Sequence, residues 1–362
     1  MPLPRRGTYP AAPRAPRVTL PPNGVIIYDG PSTLDGSPVV VVLTSLRGTS
    51  GNAKTSGDGA GALPLAQTYI IPRAMLPAPD ATPTTGARTW FDALAAGSDA
   101  SVCGRCPLRP AAVAAARAAG QPAPDPCYVL NGPPDVARAV ANGRYPTVDL
   151  PTAAGYVRAM LAAGRIAGVR GGSWGDPAAA PVDVHAALYA AVHDPMPDGS
   201  RGPRMRVRHP DGERRAVWTC YTRTWRYRPS VAWAWRTFAM ASAHSPGEAR
   251  DALALGWRPF VVVDGRNPGA VATAVALAGD VPTTHCPAST ERNADVTCAT
   301  CGLCDGASRS QVRGGVEYPD PRGAVIIMSH GAANRSAAAK CAAVEALRRM
   351  NEARRARHAA RP

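Results

Sequence analysis

Short apolar runs separated by polar, glycine-rich stretches set the rhythm of this 362-residue chain. β-Branched runs at 25–28 and 39–44 flank DGPSTLDGSP, whose two Asp-Gly pairs are turn signals, and together they predict a hairpin. Further strand-like runs fall at 67–71, 165–174, 217–222, 237–242, 260–263, 281–285 and 324–328. Helical segments lie between them, at 90–97, 135–142, 153–163, 182–192 and 270–278. Another helix starts at SPGEARDALALG, with Ser245 as N-cap, Pro246 at the first helical position and Glu248 three residues after the cap. Strands alternating with helices predict parallel pairing and a sheet covered on both faces. The expected fold is α/β, a TIM-like or partial (β/α) barrel in preference to a doubly wound sheet, with cysteine-rich metal-binding loops. The expected division is a flexible basic arm with the hairpin and a loop at 1–60, an α/β core with two cysteine clusters at 61–335, and a basic C-terminal helix at 336–362.

The cysteines change this picture most. Cys298, Cys301 and Cys304 stand with two residues between neighbours, and eleven residues separate Cys286 from Cys298. Such spacing lets thiolates converge from one tight loop onto one centre, as tetrahedral zinc and iron–sulfur clusters both require. Cys103, Cys106 and Cys127 form a second group with three thiolates and no evident fourth. Three thiolates on a [4Fe-4S] cubane leave one iron open to a small ligand, whereas three on zinc need a histidine, a carboxylate or water. Both metals stay open. The clustered cysteines fit a reducing cytoplasm, where metal ligands are commoner than structural disulfides.

Charge adds a partner class. The formal net charge is +15, which attracts polyanions such as nucleic acid. Lysine occurs only at Lys54 and Lys340 while Ala, Gly, Pro and Arg abound, so the base composition of a GC-rich genome is a competing source of that charge. The density of Arg348, Arg349, Arg354, Arg355 and Arg357 exceeds what a helix C-terminus needs for its dipole. No apolar run reaches the length of a membrane span, so no membrane partner is expected, and the expected location is the cytoplasm of a bacterial host cell.

In parallel α/β folds the loops after strand C-termini share one face and collect the catalytic groups. That rule gathers Ser173, Trp174 and Asp176, then Tyr221, Thr222 and Trp225, then Ser242 with His244, and finally Asp264, His285 and His330. His330 in SHG is the acid/base candidate, and Asp176 is either a second catalytic group or a helix cap. Trp225 with Arg226 and the neighbouring Arg223 and Arg228 reads either as a base-stacking surface or as core. The loop GTSGNAKTSGDGAG lacks the order of a phosphate loop, but Asn52 and Lys54 remain substrate-binding candidates, with Ser173, Trp174, Tyr221 and Ser242.

SDASVCGRCPLR, CYVLNGPPDVARAVANGRYP, VRGGSWGDPAAAPVDVHAAL, HCPAST and TCATCGLCDG together resemble a family of bacteriophage and prophage proteins of unknown function. That resemblance implies a viral or mobile-element origin and no particular reaction. A weaker similarity is to radical S-adenosylmethionine enzymes, which pair a (β/α) barrel with a three-cysteine [4Fe-4S] site. Cys103, Cys106 and Cys127 depart from the compact spacing of those enzymes. The expected function is that of a phage-type metal-cluster protein, iron–sulfur or zinc, working as a radical-SAM-like enzyme on a nucleotide or nucleic acid with S-adenosylmethionine as cofactor. The alternative is a zinc-stabilised nucleic-acid-binding protein without catalysis.

Overall fold

The computed structural model describes residues 20–48, 63–121, 127, 133–196, 201–209, 212–264, 268–289, 296–309, 311–313, 316–318, 320–328 and 356. Asn52, Lys54, His330, the arm before residue 20 and all but one residue of the expected C-terminal helix lie outside the described residues.

In chain order the strands are β1 Gly24–Pro31, β2 Pro38–Thr44, β3 Leu65–Pro72 and β4 Gly168–Trp174. Four short strands follow, β5 His193–Pro195, β6 Arg201–Arg204, β7 Arg206–His209 and β8 Gly212–Arg215. Then come β9 Val217–Thr222, β10 Met240–Ala243, β11 Pro259–Val263, β12 Thr283–His285, β13 Gln311–Arg313, β14 Val316–Tyr318 and β15 Ala324–Met328. Nine of them form one sheet in the order β1-β2-β3-β4-β9-β10-β11-β15-β12. β1, β2 and β3 are antiparallel neighbours, and from β3 onward each pair runs parallel. The hairpin read from the Asp-Gly turn signals is β1–β2, with Gly36 of that turn at φ 81°.

The expected barrel does not form. Among the described residues the sheet is open, with β1 and β12 as edges that each have one neighbour. Closure requires edge strands of matching direction, tilt and stagger. Here one edge is an antiparallel hairpin and the other a three-residue strand, so the two present no complementary ladders.

Period-two alternation sorts the sheet residues onto two faces. Trp218, Cys220 and Ala241 face a core with Val157 and Leu161 of the helix Leu150–Ala162 and Val184 and Leu188 of the helix Val182–Ala191. Farther along, Val261, Val263, Ile326 and Met328 pack on Ala249 of the helix Pro246–Ala254 and on Ala274 and Leu277 of the helix Pro268–Asp280. The alternate residues Tyr221, Met240, Phe260, Val325 and Ile327 face the other way and meet Cys286, Cys298 and Cys304. That second face positions the chemistry. No described helix is long and apolar enough to cross a membrane.

Candidate functional site

Both cysteine groups lie on the face opposite the crossover helices. A cavity of about 200 Å³ opens at the carboxyl ends of the parallel strands, and Cys103, Cys106 and Cys127 all line it. Its floor is made by Arg170 of β4, Tyr221 of β9 and Phe260 and Val262 of β11, and its rim by Ser173, Asp176, Ser242 and His244. Four consecutive parallel strands thus contribute to one concavity, the usual ligand position in open α/β sheets.

The three-cysteine segment is held there by side chains that the sequence reading passed over. Cys103 ends the short helix Ala100–Cys103, and the Cys106 N–H donates to the Cys103 carbonyl at 3.1 Å. Cys127 returns to the same place because its N–H donates to the Leu108 carbonyl at 2.7 Å. Arg109 ties the loop together, donating to Asp99 at 2.8 and 3.0 Å, to Gly97 O at 2.7 Å and to Gly104 O at 3.3 Å. The Asp176 N–H, donating to Val102 O at 2.6 Å, fastens the loop to the sheet. Gly175 makes that approach: its φ is 77°, and a Cβ there would stand 2.8 Å from the Ile70 carbonyl oxygen. The only signal of the Asp99–Arg109 clamp in the sequence is that both residues flank the CGRC segment.

Asp176 is buried, and both of its oxygens are engaged. Oδ1 accepts from Ala178 N at 2.9 Å and Thr222 Oγ1 at 2.7 Å, and Oδ2 from Arg223 N at 2.6 Å and Thr224 N at 3.0 Å. Burial pushes its pKa up against those hydrogen bonds. The carboxylate joins the loop after β4 to the loop after β9, and it caps the turn that follows it. Ser173 Oγ donates to Gln67 Oε1 at 2.9 Å, and Trp174 packs on Trp90 with ring centroids 4.7 Å apart.

Trp225 is 2% exposed, its Nε1 donating to Ser242 O at 2.9 Å, and Arg226 pairs with Asp251 at 3.0 Å and Glu248 at 3.4 Å. The aromatic, basic loop therefore presents no open stacking face at Trp225. Arg223 forks onto the Glu248 carboxylate and donates to Ser242 O at 2.9 Å. Burial alone would raise the Glu248 pKa, but Arg223 and the His244 N–H outweigh it and bring it down to about 2. His244 titrates at about 4, lowered first by burial and then by Arg223, so its imidazole is neutral near pH 7. Its buried Nδ1 has no hydrogen-bond partner among the described residues.

The four-cysteine segment is built differently. Cys286 follows β12 and its N–H donates to Ile326 O at 2.7 Å; Cys298 and Cys301 bound one helical turn. Gly302 at φ 66° ends that turn, and the Cys304 carbonyl accepts from Cys220 N at 3.2 Å. Burial raises the Cys304 thiol; the Tyr221 hydroxyl bonded to it opposes the rise, and neighbouring Cys286, Cys298 and Cys301 add to it. Cys103 behaves alike, raised by burial, then by Asp99, Cys127 and Cys106. A cation reverses such shifts, since it stabilises the thiolates that repel one another.

Each group thus brings its thiols within electrostatic reach of one another. Among the described residues, however, no three His, Cys, Asp or Glu side chains are drawn together closely enough to hold an ion. The donor chemistry fits a thiophilic metal, and the eight described cysteines form no disulfide with one another. Comparison with protein-family models, with curated proteins and with solved structures finds no match.

Proposed function

We propose that this chain is a metal-dependent enzyme of the phage-type family it resembles, with its reactive centre at Cys103, Cys106 and Cys127. The observation that carries the reading is that these three cysteines line one cavity with residues from the carboxyl ends of four parallel strands. Three protein ligands leave a position for substrate, whereas four make a closed, structural set. Cys286, Cys298, Cys301 and Cys304 are that second set. The occupant of the three-cysteine site is an iron–sulfur cluster, which when bound supplies electron transfer or an open iron to the substrate. S-adenosylmethionine belongs to this reading through the weaker resemblance to radical enzymes.

The chain's own residues bind and orient. Arg170 sets a cation in the cavity floor, Phe260 and Tyr221 offer apolar ring surface, and His244 presents an uncharged imidazole at the rim. A nucleotide, or a base extruded from a nucleic acid, has the matching combination of anionic phosphate and flat ring.

A zinc site is the second reading, and His244 is the observation that favours it. His244 lines the cavity with Cys103, Cys106 and Cys127, and its Nδ1 has no hydrogen-bond partner among the described residues, so a metal that drew the four together would have a Cys₃His donor set. Iron, sulfide and zinc analysis with an absorption spectrum on anaerobically purified protein separates the two. The iron–sulfur reading expects a brown protein with roughly four to eight irons per chain, less by about four in Cys127→Ser. A colourless protein with stoichiometric zinc replaces it by the second reading, and a chain holding neither metal ends both.

A further inference from the structure

With Trp225 buried and the exposed Arg226 paired to Asp251 and Glu248, the chain's positive charge has no described outlet at Trp225 and Arg226. A second cavity, about 520 Å³, supplies one at the amino-terminal end of β9. Arg204, Arg214, Arg215 and Arg309 line it, with Thr300 from the four-cysteine turn and the single carboxylate Asp305. That carboxylate is already shared: Arg204 pairs with it from the cavity side, and Arg258 and Arg322 from the sheet side. Asp320 also pairs with Arg258 and Arg322, and the cavity lining itself sets four guanidinium groups against the one carboxylate of Asp305, so it carries net positive charge.

The strands that carry these arginines point the same way. In the β7–β8 hairpin Arg206 lies directly across from Arg215, Val207 across from Arg214 and Arg208 across from Glu213. Like charges directly opposite one another destabilise an antiparallel pair. Glu213 relieves only part of this, reaching Arg206 at 3.4 Å from an exposed position. Val207, fully buried, anchors the ribbon on the face it shares with half-buried Arg214, while Arg206 and Arg215 lie exposed on the other face. An anchored two-stranded ribbon of arginines has the size and charge that nucleic-acid grooves accept.

We propose that the paired strands β7 and β8 and the cavity beside them, which Arg309 also lines, bind the phosphodiester backbone of a nucleic acid. The inference stands on charge and geometry at this surface. It shares only a substrate class with the metal-enzyme reading and requires no particular metal. The two ends of one sheet face then divide the work, with the backbone held beside the four-cysteine turn and the three-cysteine cavity left for chemistry.

The test compares the full-length chain with the triple variant Arg214→Ala, Arg215→Ala, Arg309→Ala and with a charge-matched control, Arg88→Ala, Arg144→Ala, Arg158→Ala, taken from exposed positions elsewhere. Fluorescence anisotropy is read on a labelled mixed-sequence DNA single strand, its duplex and the corresponding RNA over a range of salt. Metal content is measured on the same samples, so a failure of the metal reading registers separately. At low salt the hairpin variant is expected to lose about tenfold or more in affinity for whichever polymer binds, and its log–log salt slope to fall by about one per arginine removed. The control keeps the wild-type slope to within about one. Equal losses in both variants, no retention of any polymer by wild type, or binding of inorganic phosphate alone would each overturn the proposal.

Discussion

The two cysteine groups sit on one face of one sheet, yet the protein supports them in opposite ways. Cys103, Cys106 and Cys127 are all partly exposed, on a loop held from outside by Arg109 and lining a cavity. Cys286 and Cys304 are buried against Phe260, Val325 and Ile327, and the stretch 303–306 is locked from within. The lock is Arg258, 2% exposed, which donates to Leu303 O at 2.8 Å, Gly306 O at 3.0 Å and Gly323 O at 3.2 Å and pairs with Asp305. Arg322 pairs with Asp305 and Asp320 beside it. A guanidinium is the group for this, because its fork of five donors reaches several carbonyls at once. The difference teaches that cysteines of similar spacing can be held in a buried, locked setting and in a half-exposed, cavity-lining one, and that the surrounding arginines set which.

Breaking the inner lock should have the largest effect. Arg258→Ala removes the side-chain donor to the Leu303 and Gly323 carbonyls, leaves Gly306 O with Arg322 and removes one partner of a buried ion network, and it is expected to lower stability by about 3–5 kcal/mol in urea unfolding. On the metal reading proposed above, the four-cysteine site should lose its metal with it. A loss below about 1 kcal/mol would mean that the network is incidental. Arg109→Ala is the matched change at the open site. There the expected stability loss is smaller, about 1–3 kcal/mol, with metal affinity at Cys103, Cys106 and Cys127 down about 10–100-fold and the four-cysteine site still loaded. If instead both sites empty together in either variant, the two are one cooperative unit and the comparison fails.

Much of this frame was legible in the chain. Buried parallel strands are continuous apolar runs, which is why 260–263 and 324–328 fall within a residue of β11 and β15. Strand β10 starts later than the run at 237–242 because Phe238 and Ala239 donate their N–H groups to the Trp235 carbonyl and stay in a turn. The open edges were not legible, since barrel closure depends on which strand pairs with β3, and apolar content alone does not state a partner. Nor were the hairpins at 193–215, whose strands read HDP, RGPR, RVRH and GERR and carry little apolar alternation. At Trp225 the alternating aromatic and basic residues showed that a surface exists without showing which side of it faces water. Asp176 was legible as a cap, and its further bonds to Thr222, Arg223 and Thr224 come from a strand more than forty residues away in sequence.

Acid should separate the two regions by a smaller margin. Behind the open site, Gly172 N donates to Thr68 Oγ1 at 2.8 Å, and Thr68 Oγ1 lies 3.0 Å from Nε2 of fully buried His185. Gly172 lines the three-cysteine cavity, so a chain of two hydrogen bonds links that imidazole to the site. Burial lowers the His185 pKa to about 3, below the ordinary 6.5. Between those values the unfolded chain binds a proton that the folded chain refuses. Stability is therefore complete above pH 6.5 and declines as pH falls toward 3, by at most about 1.4 kcal/mol per pH unit. The lock of the closed site responds later. Burial raises the Asp320 pKa, but Arg322 outweighs that and holds it below 3.8, so this carboxylate's contribution persists above that value and fades only as pH falls below it. Amide hydrogen exchange between pH 6.5 and 4 should thus show loss of protection around Gly172 before Val325 and Ile326, and His185→Gln should flatten the pH dependence of the first without moving the second. Simultaneous loss at both places would show that proton uptake at His185 is felt by the whole sheet, and the division between an open and a locked site would then be one of chemistry alone.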